Sequence, residues 1–128
     1  MNRVVDAHRV IQRKLPIKGT EIYHCVLHDK KLGITEKFLH TFMRTFPVEW
    51  QFNAVDLAKR IGCSRKTIDR ALARLMAAGL LERFPSRGEG GVFMGYTYIV
   101  FPVVYRLYRQ LVKTMEKEDQ GAPLDKNI

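Results

Sequence analysis

The sequence predicts a mainly α domain closed by one small β-hairpin, with an extra helix before it and another after it. Three observations predict it. Two helical patterns are separated only by Gly62-Cys63-Ser64, the helical period gives way to alternation after Gly79, and the glycine-rich run SRGEGG divides two β-prone stretches. With 128 residues, 46% of them hydrophobic, seven Phe, five Tyr and one Trp, the chain can bury one real core. The expected organisation is an N-terminal, helical extension over 1–31, a central domain over 32–101, and a C-terminal helix with a polar tail over 102–128.

Arg3 to Leu15 places Val4, Ala7 or His8, Ile11 and Leu15 on one stripe, which predicts a short amphipathic helix ended by Pro16 and Gly19. Thr20 to His28 suits helix or strand, with helix the preferred reading. Thr35 is the expected cap of a core helix bearing Phe38, Leu39, Phe42, Met43 and Phe46, closed by Pro47. Asn53 then caps a helix of about two turns with Val55, Leu57, Ala58 and Ile61 available for burial and Gly62 at its end.

Ser64 caps the next helix, Arg65 to Ala78, in which Ile68, Ala71, Leu72 and Leu75 recur at helical spacing until Gly79 stops it. Leu80 to Phe84 and Tyr96 to Phe101 read as the two strands of a hairpin whose long tip, SRGEGG, is flexible. Pro102 is well placed to start the last helix, striped by Val104, Leu107, Tyr108, Leu111, Val112 and Met115. The tail EKEDQGAPLDKNI lacks the apolar residues needed for order.

A formal net charge of +9 and a pI near 9.8 favour a polyanionic partner. No apolar run reaches the roughly 18 residues needed to span a bilayer, and the start MNRVVDAHRV lacks a signal peptide's apolar stretch. The expectation is a soluble, cytoplasmic protein with no membrane partner. Cys25 and Cys63 form no CxxC pair, which fits a reducing compartment without disulfides. His24 and His28, with Cys25 between them, have the spacing to share a metal on a helix, but no further close ligand pair completes a site. No paired acids, nucleophile with base, or phosphate-binding loop stands out, so neither catalysis nor a cofactor is expected.

Two helices joined by a very short turn, the second basic at its N-terminal end, have the geometry that lets one helix enter the DNA major groove while the other braces it. Burial of Ile68, Leu72 and Leu75 leaves Arg65, Lys66, Asp69, Arg70, Ala73 and Arg74 outward. Arg65, Lys66 and Arg70 can donate to base edges, and Ser64 and Thr67 can bond phosphate oxygens. The run LAKRIGCSRKTIDRALARLMAAGLLERF, followed by the glycine-rich tip and YTYIVF, resembles the winged helix-turn-helix family over residues 32 to 101. The preceding segment, with Pro47, Trp50 and Phe52 before the motif, is similar to such proteins of phages, plasmids and other mobile elements.

The resemblance implies that the helix from Arg65 reads double-stranded DNA and that Arg83, Ser86 and Arg87 of the hairpin touch an adjacent backbone or minor groove. Each reading has a plainer rival. The cations can be a solvated face, the tip a mobile loop, and Glu89 weighs against a purely phosphate-binding tip; Trp50 and Phe52 read as packing residues rather than a base-stacking pair. Val104, Tyr108, Leu111 and Met115, with Val4, Ile11 and Leu15, can form a homodimer interface or pack on their own core. A small regulator or replication-associated DNA-binding protein is the leading expectation; a winged-helix interaction module without DNA contact is the alternative, and RNA binding a third.

Overall fold

The computed structural model describes residues 15–48 and 50–121. Its elements are α1 (His24–Leu27), α2 (Ile34–Arg44), α3 (Ala54–Ile61), α4 (Arg65–Ala77), β1 (Leu81–Arg87), β2 (Phe93–Val100) and α5 (Tyr105–Gly121). Helices α2 and α3 pack on α4, and β1 and β2 pair as one antiparallel hairpin beside them. This is the winged helix-turn-helix arrangement. The helix expected over Arg3–Leu15, apart from Leu15, and the end of the tail lie outside the described residues.

Local chemistry explains most element ends. The Asn53 side chain accepts from the Val55 and Asp56 amides at 2.8 and 3.2 Å, starting α3, and Gly62 ends it with φ 87°, a left-handed conformation that suits glycine. At the end of α4, Gly79 adopts φ 80° while the Leu80 amide donates back to Leu75 O at 3.0 Å. That closure turns the fully buried Leu80 inward.

Four expectations need correction. Helix α2 is capped by Gly33 rather than Thr35, because the Glu36 carboxylate accepts from the Gly33 amide at 2.7 Å and fixes the start earlier. Its buried face is Glu36, Leu39, His40 and Met43, so Phe38 is exposed and stacks along the helix on Phe42. Val55 is also exposed, since it stands about 200° round the helix from the buried Leu57. Between Thr20 and His28 only the single turn α1 is helical; it contributes one buried side chain, Val26, too little to hold a longer helix.

The core gathers Leu39, Met43, Leu57, Ile68, Leu75 and Leu81 between α2, α3, α4 and the hairpin base. An aromatic chain extends it: Phe42, Phe46, Phe52, Tyr98, Tyr96 and Phe93 touch in succession from α2 to the far end of β2. Trp50 stacks on Phe46 at 5.1 Å, under the Arg60 guanidinium, and Phe52 is buried, so both are packing residues.

Both strands are longer than their sequence pattern suggests. Ser86 and Arg87 belong to β1, and the tip shrinks to a turn from Gly88 to Val92 closed by the Gly88 amide donating to Val92 O at 2.7 Å. Pairing runs from Leu81 with Val100 to Pro85 with Tyr96, then resumes at Arg87 with Phe93. Three steps on β2 therefore face two on β1. The extra residue is a β-bulge, and Gly95 within it takes φ 101°.

Phe101 is outside both β2 and α5. Its amide donates to Leu80 O at 3.0 Å and its carbonyl accepts from His40 Nε2–H at 2.7 Å. With those groups engaged, the last helix starts at Tyr105 rather than Pro102, and the Tyr105 amide donates to Gly79 O at 2.7 Å. No helix among the described residues is long and apolar enough to cross a membrane.

His40 is 1% exposed, and its Nδ1 has no hydrogen-bond partner among the described residues. Burial pushes its pKa below the ordinary 6.5; the Phe101 carbonyl opposes that shift and nearby Arg44 adds to it. Because the folded state holds the neutral ring, its stabilisation is complete above 6.5 and is lost as pH falls through the lower folded value. Thermal melts at pH 7.5 and 5.5 should show a fall in Tm for the wild type and a smaller fall for His40→Gln.

Candidate nucleic-acid interface

The site begins with the tight turn between α3 and α4. The Gly62 and Cys63 amides both donate to Ala58 O, and the half-buried Cys63 packs against the core. Ser64 Oγ accepts from the Thr67 amide at 3.1 Å and lies 2.9 Å from Thr67 Oγ1. When the Thr67 hydroxyl donates to Ser64, the Ser64 proton is left to point outward. Helix geometry also leaves the Arg65 and Lys66 amides free for an acceptor beyond the helix start. Both hydroxyls thus serve the cap, and one of the two retains a free proton.

Ile68, Ala71, Leu72 and Leu75 are buried, which turns Arg65, Lys66, Asp69, Arg70, Ala73 and Arg74 outward. The basic side chains do not share one environment. Arg65 lies 3.5 Å from Asp69 one turn on, and Arg74 lies 3.6 Å from Glu36, whose side chain is only 5% exposed. The second contact locks α4 to the start of α2. Among the described residues, Lys66 and Arg70 make no ion pair, and they stand four apart on one face of the helix.

The hairpin adds two more cations in a different setting. Arg83 lies over the Tyr96 ring at 4.0 Å from its centroid, and Arg87 lies over Phe93 at 5.5 Å. Ser86 is half-buried between them in sequence, whereas Glu89 is exposed in the tip. A cleft of about 280 Å³ joins this hairpin face to the first turn of α4, with Arg65 and Asp69 on one wall and Arg83, Phe93 and Tyr96 on the other. The structure therefore brings Arg65 and Arg83 to one cleft, while Arg74 is held aside by Glu36.

No known family profile matches the chain, and no curated protein matches it. A solved structure of a possible transcriptional regulator from Methanosarcina mazei Go1 is similar to it, with a TM-score of 0.44 and 19% identity over 80% of this chain and 82% of that one.

Sequence reasoning missed two parts of the site. Nothing in the spacing of α2 marks Glu36 for burial, yet its buried carboxylate lies 3.6 Å from Arg74. Phe93 and Tyr96 are three apart and would face opposite sides of a regular strand, so nothing in their spacing signals a pair. The glycine at 95 is the one local signal of the bulge that unites them.

His24 and His28 sit on the single turn of α1 with parallel rings, centroids 5.1 Å apart. Among the described residues, no group of three His, Cys, Asp or Glu is placed to hold a metal. Replacing Ser64 by Ala should cost about 1 kcal/mol of stability, read by urea denaturation, because the Thr67 amide loses its acceptor. The shift should be in the midpoint, with the slope of the transition unchanged.

Proposed function

We propose that this chain is a sequence-specific double-stranded DNA-binding protein in which α4 enters the major groove and the hairpin rests on the neighbouring backbone or minor groove. The observation that carries this reading is the pairing of a basic face, Lys66 and Arg70, that makes no ion pair among the described residues with a helix start whose amides and one hydroxyl of the Ser64–Thr67 pair offer donors at one edge. Lys66, Arg70 and Arg65 are the candidates for base edges. Of Ser64 and Thr67, the hydroxyl that is not donating to the other serves phosphate at the helix start, and Arg83, Ser86 and Arg87 serve it from the hairpin. The overall charge of +9 supports steering towards such a polyanion.

The role is that of a small transcriptional regulator or of a replication-associated protein of a mobile element, the latter following from the resemblance of the Pro47–Phe52 region alone. Fluorescence titration of labelled duplex at rising salt should show affinity dropping steeply between about 50 and 200 mM as phosphate counterions are released and rebound. Arg70→Ala should weaken a selected sequence by about 1–3 kcal/mol more than random duplex, and Arg87→Ala should weaken both alike. Affinity independent of salt would remove the DNA reading.

Two copies addressing two half-sites would raise specificity, and α5 offers the surface for it. Val104 and Leu107 are partly buried against the chain's own core, but Tyr108, Leu111 and Met115 remain exposed, Met115 at 61%. A homodimer through this outer part of the stripe is the reading we adopt over a docking module without DNA contact. Sedimentation equilibrium should return a dimer mass for the wild type and a monomer mass for Leu111→Glu.

A further inference from the structure

The wing face that borders the cleft is not built as a surface for phosphate alone. Phe93 and Tyr96 are 48% and 36% exposed, their rings meet edge to face at 5.2 Å, and each carries a guanidinium over its face. A duplex backbone needs only the charges. Exposed ring faces gain nothing from phosphate oxygens and leave apolar area in water.

The β-bulge is what creates this pair. Residues three apart on a strand face opposite ways, and the extra residue at the left-handed Gly95 returns Phe93 to the side of Tyr96. On β1, Arg83 and Arg87 come to the same side, with Arg87 directly opposite Phe93. The result is two guanidiniums over neighbouring rings, at 4.0 Å for Arg83 on Tyr96 and 5.5 Å for Arg87 on Phe93. A guanidinium is weakly hydrated and planar, so with the exposed ring beneath it, it offers a surface on which a nucleobase can stack.

We propose that this wing face is a stacking site for an unpaired nucleobase, so that the protein prefers duplex DNA bearing a short single-stranded extension. The inference rests on the DNA-binding reading above and adds the class of DNA. The cleft has room beside the stack, and its opposite wall presents the Arg65 guanidinium and the Asp69 carboxylate, 3.5 Å apart, as a donor and acceptor pair for a base edge. A base drawn into this cleft has to leave its own helix, which costs least where it is already unpaired.

Competition binding should compare blunt duplex, the same duplex with a short extension of either polarity, and that extended duplex with abasic sites in place of the extension's bases. The abasic form keeps the phosphates and removes the stacking partner. The expected result is affinity about tenfold higher for one base-bearing extension than for its abasic counterpart. In the double variant Phe93→Leu, Tyr96→Leu, which keeps apolar volume without a ring face, that ratio should fall to near one while the Tm stays close to wild type. Equal affinities for base-bearing and abasic extensions, with blunt duplex still bound, would overturn the stacking site and leave the DNA reading standing. Lack of salt-dependent binding to every duplex would overturn both.

Discussion

The orientation of the wing relative to α4 depends on one residue's backbone. Phe101 lies where the hairpin ends, and both of its peptide groups are used: the amide by Leu80 at the α4–β1 corner, the carbonyl by His40 of α2. Its ring meanwhile lies 4.8 Å from that of Tyr105 and 5.8 Å from that of Tyr108 on α5. Buried polar groups have to be paired, so neither the α4–β1 corner nor α2 can shift from Phe101 without orphaning a partner. The distance between Arg65 and Arg83 across the cleft inherits its definition from that junction.

Electrostatics then sorts the basic residues by neighbour rather than by count. Glu36 is held in place by the Gly33 amide and reaches Arg74, which converts a cation near the end of α4 into a tie between two helices. A buried carboxylate with both oxygens engaged is a fixed anchor, whereas an exposed pair such as Arg65 with Asp69 is weak and can open. On α4, Lys66 and Arg70 are consequently the cations that keep no ion pair among the described residues, near the positive end of the helix dipole.

The helix-turn-helix was legible in the sequence because its punctuation is local. Asn53, Gly62, Ser64 and Gly79 each act within a few residues of themselves, and all four perform the capping their chemistry predicts. What escaped notice depends on distant partners. Glu36 and His40 are polar residues on the buried face of α2, and only Arg74 and Phe101, brought near by folding, explain their presence there. The start of α2 is a local exception: the Glu36 carboxylate accepts from the Gly33 amide three residues back, and that contact overrides the cap that Thr35 offers. On the wing, alternation failed where Gly95 inserts a step, and the cation-on-ring stacks followed from that insertion.

Pro85 has a bearing on how copies of this protein coexist. A two-stranded sheet leaves each strand with one unpaired side, and such a side can recruit the strand of another molecule. Pro85 sits in the middle of β1 without an amide hydrogen, and Glu82, Arg83 and Arg87 place charge along the same strand. A foreign strand would meet a broken ladder and buried charge. The outer edge of β1 therefore resists pairing with the strand of another copy.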